Sequence, residues 1–461
     1  MSTSALLSSP APAPLDRAPR PLRYALCGLS SRGIHHFLLP LLGRSPLPGD
    51  DYRALGEVVG VFDLDAERVD AFNRKQGTEI AHFAPEQGVE EMIRETRPDV
   101  LLVAGPDHTH CEHALAGLRH GLRVVVEKPL AIRCEEVRAM LKAEAEGAGE
   151  IIVTHNYRYA SLSRHLKRFL LTGRLGRVTS VEMTYNLDTE HGSSFFFRWN
   201  RERAKSGGLS IHKAVHHFDL VSWLIGEPPE TVFAFGRRHF YGANGALRPR
   251  GPNGEPLSPE ATRQACPYFR HHHAPKGAGA NGRLKPSWDG LGLPYNAQYQ
   301  GDAYIYDDAI DIEDTYSAVI AYRGGATLTY ASNYSAPWKG YTLAINGTGG
   351  RLEATNRTEP ARTPHPTLKI HPPVDELVFY PLFGGRELYQ YPKGEGSHGG
   401  GDPLIRRDLF LGPDEESRRL SLPSNSYDGA LAIATGEAVW RSGAEGRPFT
   451  IRELLDDVHQ P

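Results

Sequence analysis

Three polar side chains, His212, His216 and Asp219, fall at i, i+4 and i+7 in the stretch Gly207-Gly-Leu-Ser-Ile-His-Lys-Ala-Val-His-His-Phe-Asp219. On a helix that spacing puts them on one face. Ile211, Val215, Phe218 and Leu224 supply the apolar surface on which such a helix packs. Histidine is the side chain whose ordinary pKa suits proton transfer near neutrality. A second candidate stands in Val126-Glu-Lys-Pro-Leu130. Lys128 precedes a proline and follows an apolar run, so its backbone is held. Beside another positive charge its ammonium has a lowered pKa and can orient or deprotonate a hydroxyl.

The turn Gly28-Leu-Ser-Ser-Arg-Gly33 lies between an apolar run and a helical segment. Gly28 allows a tight turn and Gly33 allows close helix packing. Ser30, Ser31 and Arg32 then lie where a helix N-terminus holds a pyrophosphate. The middle glycine of the usual GxGxxG is Ser30 here, and the strand–turn–helix context carries the reading. Asp63 closes the next apolar run, where a carboxylate bonds ribose hydroxyls and repels a 2′-phosphate, favouring NAD over NADP. It lies 30 residues beyond Gly33, longer than the usual ~20, and the loop SPLPGDDYR accounts for the excess. Gly105-Pro-Asp-His-Thr-His110 sits at the carboxyl end of a later run, where open α/β sheets bind ligands. Pro106, Asp107 and His110, with Glu127 and Lys128, are therefore expected at the cofactor.

These residues need a scaffold, and the hydrophobic pattern predicts one. Apolar runs at Tyr24–Cys27, Val58–Phe62, Val100–Ala104, Leu122–Val126 and Ile151–Val153 read as strands. Amphipathic segments at Ala66–Lys75, Val89–Thr96, Cys111–His120 and Cys134–Glu146 read as helices between them. Continuous apolar strands alternating with helices make a doubly wound parallel α/β sheet, here a Rossmann domain over 22–153. Beyond it the strands alternate apolar and polar residues: Val178–Tyr185, Thr231–Gly236, Thr315–Tyr322, Ala326–Tyr334 and Tyr341–Gly347. That predicts an α+β domain over 154–461 with a large, mostly antiparallel sheet. Its helices are expected at Leu162–Leu171, about Leu209–Ile225 and about Tyr427–Arg441. A Gly/Pro/Asn/His-rich insert at about 240–310 reads as functional or disordered, and residues 1–21 as a flexible Pro/Ala/Ser tail.

Composition narrows the function. The chain has 461 residues, with 52 Lys plus Arg against 55 Asp plus Glu, a formal charge of −3. So even a balance argues against a nucleic-acid or anionic-membrane surface as the main partner. The longest apolar runs, such as Phe37–Leu42, fall far short of the ~20 residues that span a bilayer. The N-terminus lacks the basic and apolar regions of a signal peptide. Four cysteines without a CxxC make no disulfide framework, and a reducing, cytoplasmic setting fits.

The glycine turn, Pro-Asp-His-x-His, Glu-Lys-Pro at 127–129, Asn156-Tyr-Arg158 and the Gly207–Asp219 stretch occur in that order. Together they resemble the Gfo/Idh/MocA family of NAD(P)-dependent oxidoreductases. The likeness covers about residues 22–235 well and 311–355 more loosely. It implies a Rossmann domain, a second domain whose sheet often forms an oligomer interface (dimer or tetramer), and redox chemistry on sugars, inositols or related polyols. By position it makes His216 the acid/base and Lys128 its partner, with His212 in the same machinery. Asn156, Arg158, Lys213, Asp219 and His398 are then expected at the substrate. The family commonly has aspartate where His212 stands, a carboxylate that would orient His216. His212 beside Lys213 supplies no such charge.

A sugar dehydrogenase or reductase is the first reading. A glycosidase or lyase that oxidises a ring hydroxyl transiently with bound NAD is the second, suited by the polar helix and the loop Ser397-His-Gly-Gly-Gly-Asp402. A non-catalytic NAD or sugar sensor is the third, and retention of both Lys128 and His216 argues against it. His212, His216 and His398 also permit a metal reading, but no HExxH or cysteine set supports it and no metal is expected. His271-His-His273 in the insert is expected to be solvated.

Overall fold

In the computed structural model the described residues are 20–147, 149–266, 291–294, 304–358, 374–394 and 397–456, the side chains of 190, 259, 358 and 397 excepted. β1 (Leu22–Cys27) pairs in parallel with β2 (Gly56–Phe62) on one side and β4 (Val100–Val103) on the other. β3 (His82–Phe83) extends the sheet past β2, and β5 (Arg123–Val126) and β6 (Glu150–Val153) extend it past β4. All four residues of β4 are buried, as a strand covered on both faces requires. The strand order reverses between β1 and β4, so their carboxyl ends open the crevice in which such sheets bind ligands.

The second sheet holds β7 (Val178–Asp188), β8 (Pro229–Arg237), β9 (Thr315–Tyr322), β10 (Thr327–Ala336), β11 (Lys339–Gly347), β12 (Gly350–Thr358), β13 (Val374–Pro381), β14 (Glu387–Pro392) and β16 (Phe449–Thr450). Its order is β14-β13-β12-β11-β7-β10-β9-β8-β16. Every pair is antiparallel except β7 with β10. Alternation is strict where one face is covered: in β9 Tyr316, Ala318, Ile320 and Tyr322 are buried, while Ser317 and Val319 are exposed. The helices Ser161–Leu171, Val215–Ile225 and Ser426–Glu445 bury their apolar faces in the core this sheet shares with the first domain. The opposite face carries exposed Phe233, Phe235 and Val319.

The two domains share more than a linker. β15 (Ser424–Asn425), far along the chain, adds to β6 as an antiparallel edge strand of the first sheet, which the division at residue 153 does not anticipate. Helix Ser426–Glu445 follows, opened by a capping box of Asn425 and Asp428. Its Glu437 accepts the Cys134 N–H at 2.6 Å, at the start of a Rossmann helix. Gly436 lets it lie against the turn at Ser210, whose carbonyl would be 2.5 Å from an added Cβ.

Three local expectations are corrected. The first helix is π-wound over Gly33–Leu38 before an α turn at Leu39–Leu41. The segment 209–225 is two helices, Leu209–His212 and Val215–Ile225, broken at Lys213-Ala214. Within the insert, residues 240–266 include the helix Pro259–Ala265, and Tyr241, Cys266, Leu293, Tyr304 and Tyr306 are buried, so these parts are packed. His271–His273 and residues 1–19 lie outside the described residues. Among the described residues no helix is long and apolar enough to cross a membrane, and no cluster of side chains has the makeup of a metal site.

Candidate active site between the two lobes

After β1 the chain turns at Gly28, where φ is +91°. An added Cβ there would lie 2.4 Å from the Cα of Gly105, just past β4. One on Gly33 would lie 2.7 Å from the Gly28 carbonyl. Both glycines answer a close approach of backbone. Ser30 Oγ accepts the Gly33 N–H at 3.0 Å at the helix start, and such a start offers N–H groups to a pyrophosphate. Asp63, next after β2, accepts the Leu29 N–H at 2.6 Å and the Asp65 N–H at 2.9 Å. Burial pushes its carboxyl up, against those two donors. A cradle that a Cβ would fill and a fixed carboxylate at the ribose position fit the adenosine and pyrophosphate of NAD.

Arg32 ties three segments together. Its Nε donates to Glu127 at 2.8 Å, and its two terminal nitrogens donate to Asp402 at 2.9 and 3.2 Å. Asp402 also accepts from Asn156 at 3.1 Å and lies 3.0 Å from His398 Nδ1. Burial alone would raise its pKa, but the Arg32 guanidinium and His398 hold it well below the usual carboxylate range. The loop with His398, which sits at φ 52°, is thereby fastened to the glycine turn.

Lys128 reaches across the crevice and donates to the main-chain carbonyl of His212 at 3.1 Å. Burial pushes its ammonium down to about 8; Asp107 opposes that shift and Lys213 adds to it. Asp107, beyond β4, meets Nδ1 of His212 in a short hydrogen bond. Asn200 Nδ2 lies 3.2 Å from His212 Nε2. A carboxylate on one nitrogen and an amide donor on the other define a neutral imidazole protonated at Nδ1. Burial likewise keeps His212 below its ordinary pKa. The rings of Phe195 and Trp199 stand edge-on to it. Asp107 of the other lobe thus orients His212, and it does not take the place of a carboxylate beside His216.

His216 points elsewhere because the helix is broken before it. Its ring stacks on Tyr157 with centroids 4.3 Å apart. It is 1% exposed, and among the described residues its Nδ1 has no hydrogen-bond partner. Burial, then the charges of Lys128 and Lys213, push its pKa well down. Its ring is thereby kept neutral. Lys213, at the break, is 8% exposed. Its ammonium stands 5.6 Å from the ring centroids of both Tyr157 and Tyr185.

Other expected residues go to structure. Arg158 donates to both oxygens of Asp219 and reaches the Ser421 and Pro423 carbonyls and Asp428. Those bonds use its donors, so this buried pair braces the lobe and does not face the crevice residues. His110 sets one ring nitrogen 2.7 Å from the Pro129 carbonyl and the other 3.0 Å from the Gly105 carbonyl, a brace between two loops. Pro106 precedes the short turn Asp107–Thr109. Tyr157 and Asn200 escaped the sequence reading: Tyr157 stood inside Asn156-Tyr-Arg158, but Asn200 carries no local signal.

Residues 22–155 match the oxidoreductase-family model for an NAD-binding Rossmann fold, and residues 167–451 match that family's C-terminal alpha/beta domain. The chain belongs to the Gfo/Idh/MocA family, and it is an NAD-dependent oxidoreductase. It is 40% identical over 432 residues, 93% of this chain and 97% of the relative, to YteT of Bacillus subtilis, whose name calls it an oxidoreductase without a substrate. Myo-inositol 2-dehydrogenase of Thermotoga maritima is 28% identical over 177 residues, 38% of this chain and 49% of that protein. The solved structure of levoglucosan dehydrogenase with NADH and levoglucosan covers 93% of this chain and 99% of that one, with a TM-score of 0.62 at 18% identity, a likeness of fold.

Proposed function

We propose that this chain moves a hydride between NAD and a hydroxyl-bearing carbon of a carbohydrate, and that His216 and Lys128 handle the hydroxyl. The observation that carries this is the convergence of Lys128 from one lobe with His212 and His216 from the other. Bound NAD supplies the hydride acceptor. Lys128, protonated below about 8, donates to the substrate oxygen and steadies negative charge as it develops there. His216, kept neutral by burial, accepts the hydroxyl proton. His212 is a positioning residue: Asp107 and Asn200 hold its ring, and its carbonyl holds Lys128. Asp63 at the ribose position favours NAD over NADP. The exposed apolar face of the nine-stranded sheet fits a homo-oligomer.

The test is a screen of the purified protein with NAD against sugars, inositols, uronic acids and glycosides, read as nicotinamide absorbance. Net NADH from a free sugar supports dehydrogenation. Glycoside cleavage without net NADH would instead support transient oxidation and elimination. Lys128→Met is expected to lower kcat/KM by roughly 10²–10⁴-fold while NADH still binds by fluorescence titration. Unchanged turnover in that variant would remove Lys128 from the machinery.

A further inference from the structure

Among the described residues Lys213 is a buried cation without a counter-charge. At 8% exposure a lysine is ordinarily paired or hydrogen-bonded. Among the described residues no carboxylate forms an ion pair with it. Its neighbours are the rings of Tyr157 and Tyr185 and, among charges, Lys339 from β11. Lys213, Lys339 and Arg198 all depress His191, in the short helix after β7, so positive groups gather on this side of the crevice. Three buried acids are committed elsewhere: Asp107 to His212, Asp402 to Arg32 and His398, and Asp188 to the His191 N–H at 2.7 Å. Among the described residues, Nδ1 of His216 and Oδ1 of Asn156 are buried without hydrogen-bond partners. Free acceptors of that kind suit the hydroxyls of a sugar.

We propose that Lys213 receives the negative group of an anionic sugar, a carboxylate or a phosphate, while His216 and Lys128 face the carbon to be oxidised. This rests on the carbohydrate-oxidoreductase reading above. An anion there completes the ammonium's hydrogen bonding where the described residues supply no opposite charge. Burial pushes Lys213 down to about 8, and a bound anion would restore its charged form.

The experiment compares galacturonate, glucuronate and glucose 6-phosphate with galactose and glucose, using wild type, Lys213→Met and Lys213→Arg. Turnover is read with NAD, and binding to the NADH-loaded protein is read by calorimetry. The anionic sugars are expected to be preferred, the uronate and phosphate arms telling which anion fits. Lys213→Met should weaken them by about 10- to 100-fold in KM and in binding. NADH affinity should stay unchanged, and Lys213→Arg should recover part of the loss. Neutral sugars that equal the anions, or a Lys213→Met loss equal for both, would overturn the subsite. If anions bind through Lys213 but no sugar reduces NAD, the subsite stands and the redox reading fails. If neutral sugars reduce NAD and Lys213→Met changes nothing, the reverse holds. If no anion binds more tightly than its neutral counterpart, the subsite is overturned whatever the turnover.

Discussion

Lys128 and His216 set opposite limbs of a pH profile. Lys128 serves as a donor only while protonated, and its pKa is pushed down to about 8. Its contribution is therefore present below about 8 and lost above. His216 serves as an acceptor only while neutral, and burial keeps it so until well below its ordinary range. For oxidation of a neutral sugar kcat/KM should be flat near neutrality and fall on the alkaline side, with a midpoint near or below about 8. The positive ring of bound NAD, where it lies beside Lys128, would lower that midpoint. Lys213 acts on Lys128, so the alkaline limb belongs to the pair as much as to either lysine. A rate that instead rises through about 8 in initial-velocity measurements would make Lys128 the base and displace His216 from that role.

At the scale of elements, two features place these groups. One is the glycine turn after β1. Gly28→Ala combines a positive φ with a Cβ 2.4 Å from the Gly105 Cα. The strain alone costs about 1–3 kcal/mol, and backbone against backbone has no flexible side chain to yield. A lowered Tm together with lost NADH binding is expected; full NADH affinity in that variant would mean the turn does not hold the pyrophosphate. The other feature is the break at Lys213-Ala214. Periodicity read through 209–225 sets His212, His216 and Asp219 on one stripe. The break sends His212 to Asp107, while His216 and Asp219, both on the helix after it, meet Tyr157 and Arg158. The apolar spacing on both sides of the break is helical, so nothing local marks the interruption.

At the scale of the whole molecule, the lobes are bound by Arg32, Glu127 and Asp402 as well as by β15. Asp402→Ala strips two of Arg32's acceptor contacts. Arg32 keeps Glu127, so the loss is that of a charged hydrogen-bonded contact, about 1.5–3 kcal/mol, visible as a drop in urea midpoint. The wild-type carboxyl titrates far below its unfolded value of about 3.9. Its stabilisation is thus complete above about pH 3.9 and lost as pH falls further, so the wild-type and variant curves should converge in acid. The outer face of the nine-stranded sheet offers a second test. Phe235, 56% exposed, sits near Phe233, with ring centroids 5.2 Å apart. Phe235→Glu should shift the protein to a smaller species in light scattering after size exclusion. A wild type already monomeric would remove the oligomer proposal.

What the amino-acid order by itself determined is local. Gly28 and Gly33, the buried runs at β1, β4 and β5, and the alternation in β9 and β10 each dictate a backbone conformation or a face from neighbours in sequence. That is why the doubly wound sheet, the glycine turn, the Glu-Lys-Pro lysine and the histidine-bearing segment were all legible. Tertiary structure alone decided the pairings. Asp107 and His212 lie 105 residues apart, and Arg32 and Asp402 lie 370 apart. Such partners are chosen by how two lobes dock, and docking buries charges together only where both surfaces are already folded. Packing within the second lobe set Lys213 against Tyr157 and Tyr185 with no acid paired to it among the described residues, which no spacing of residues records.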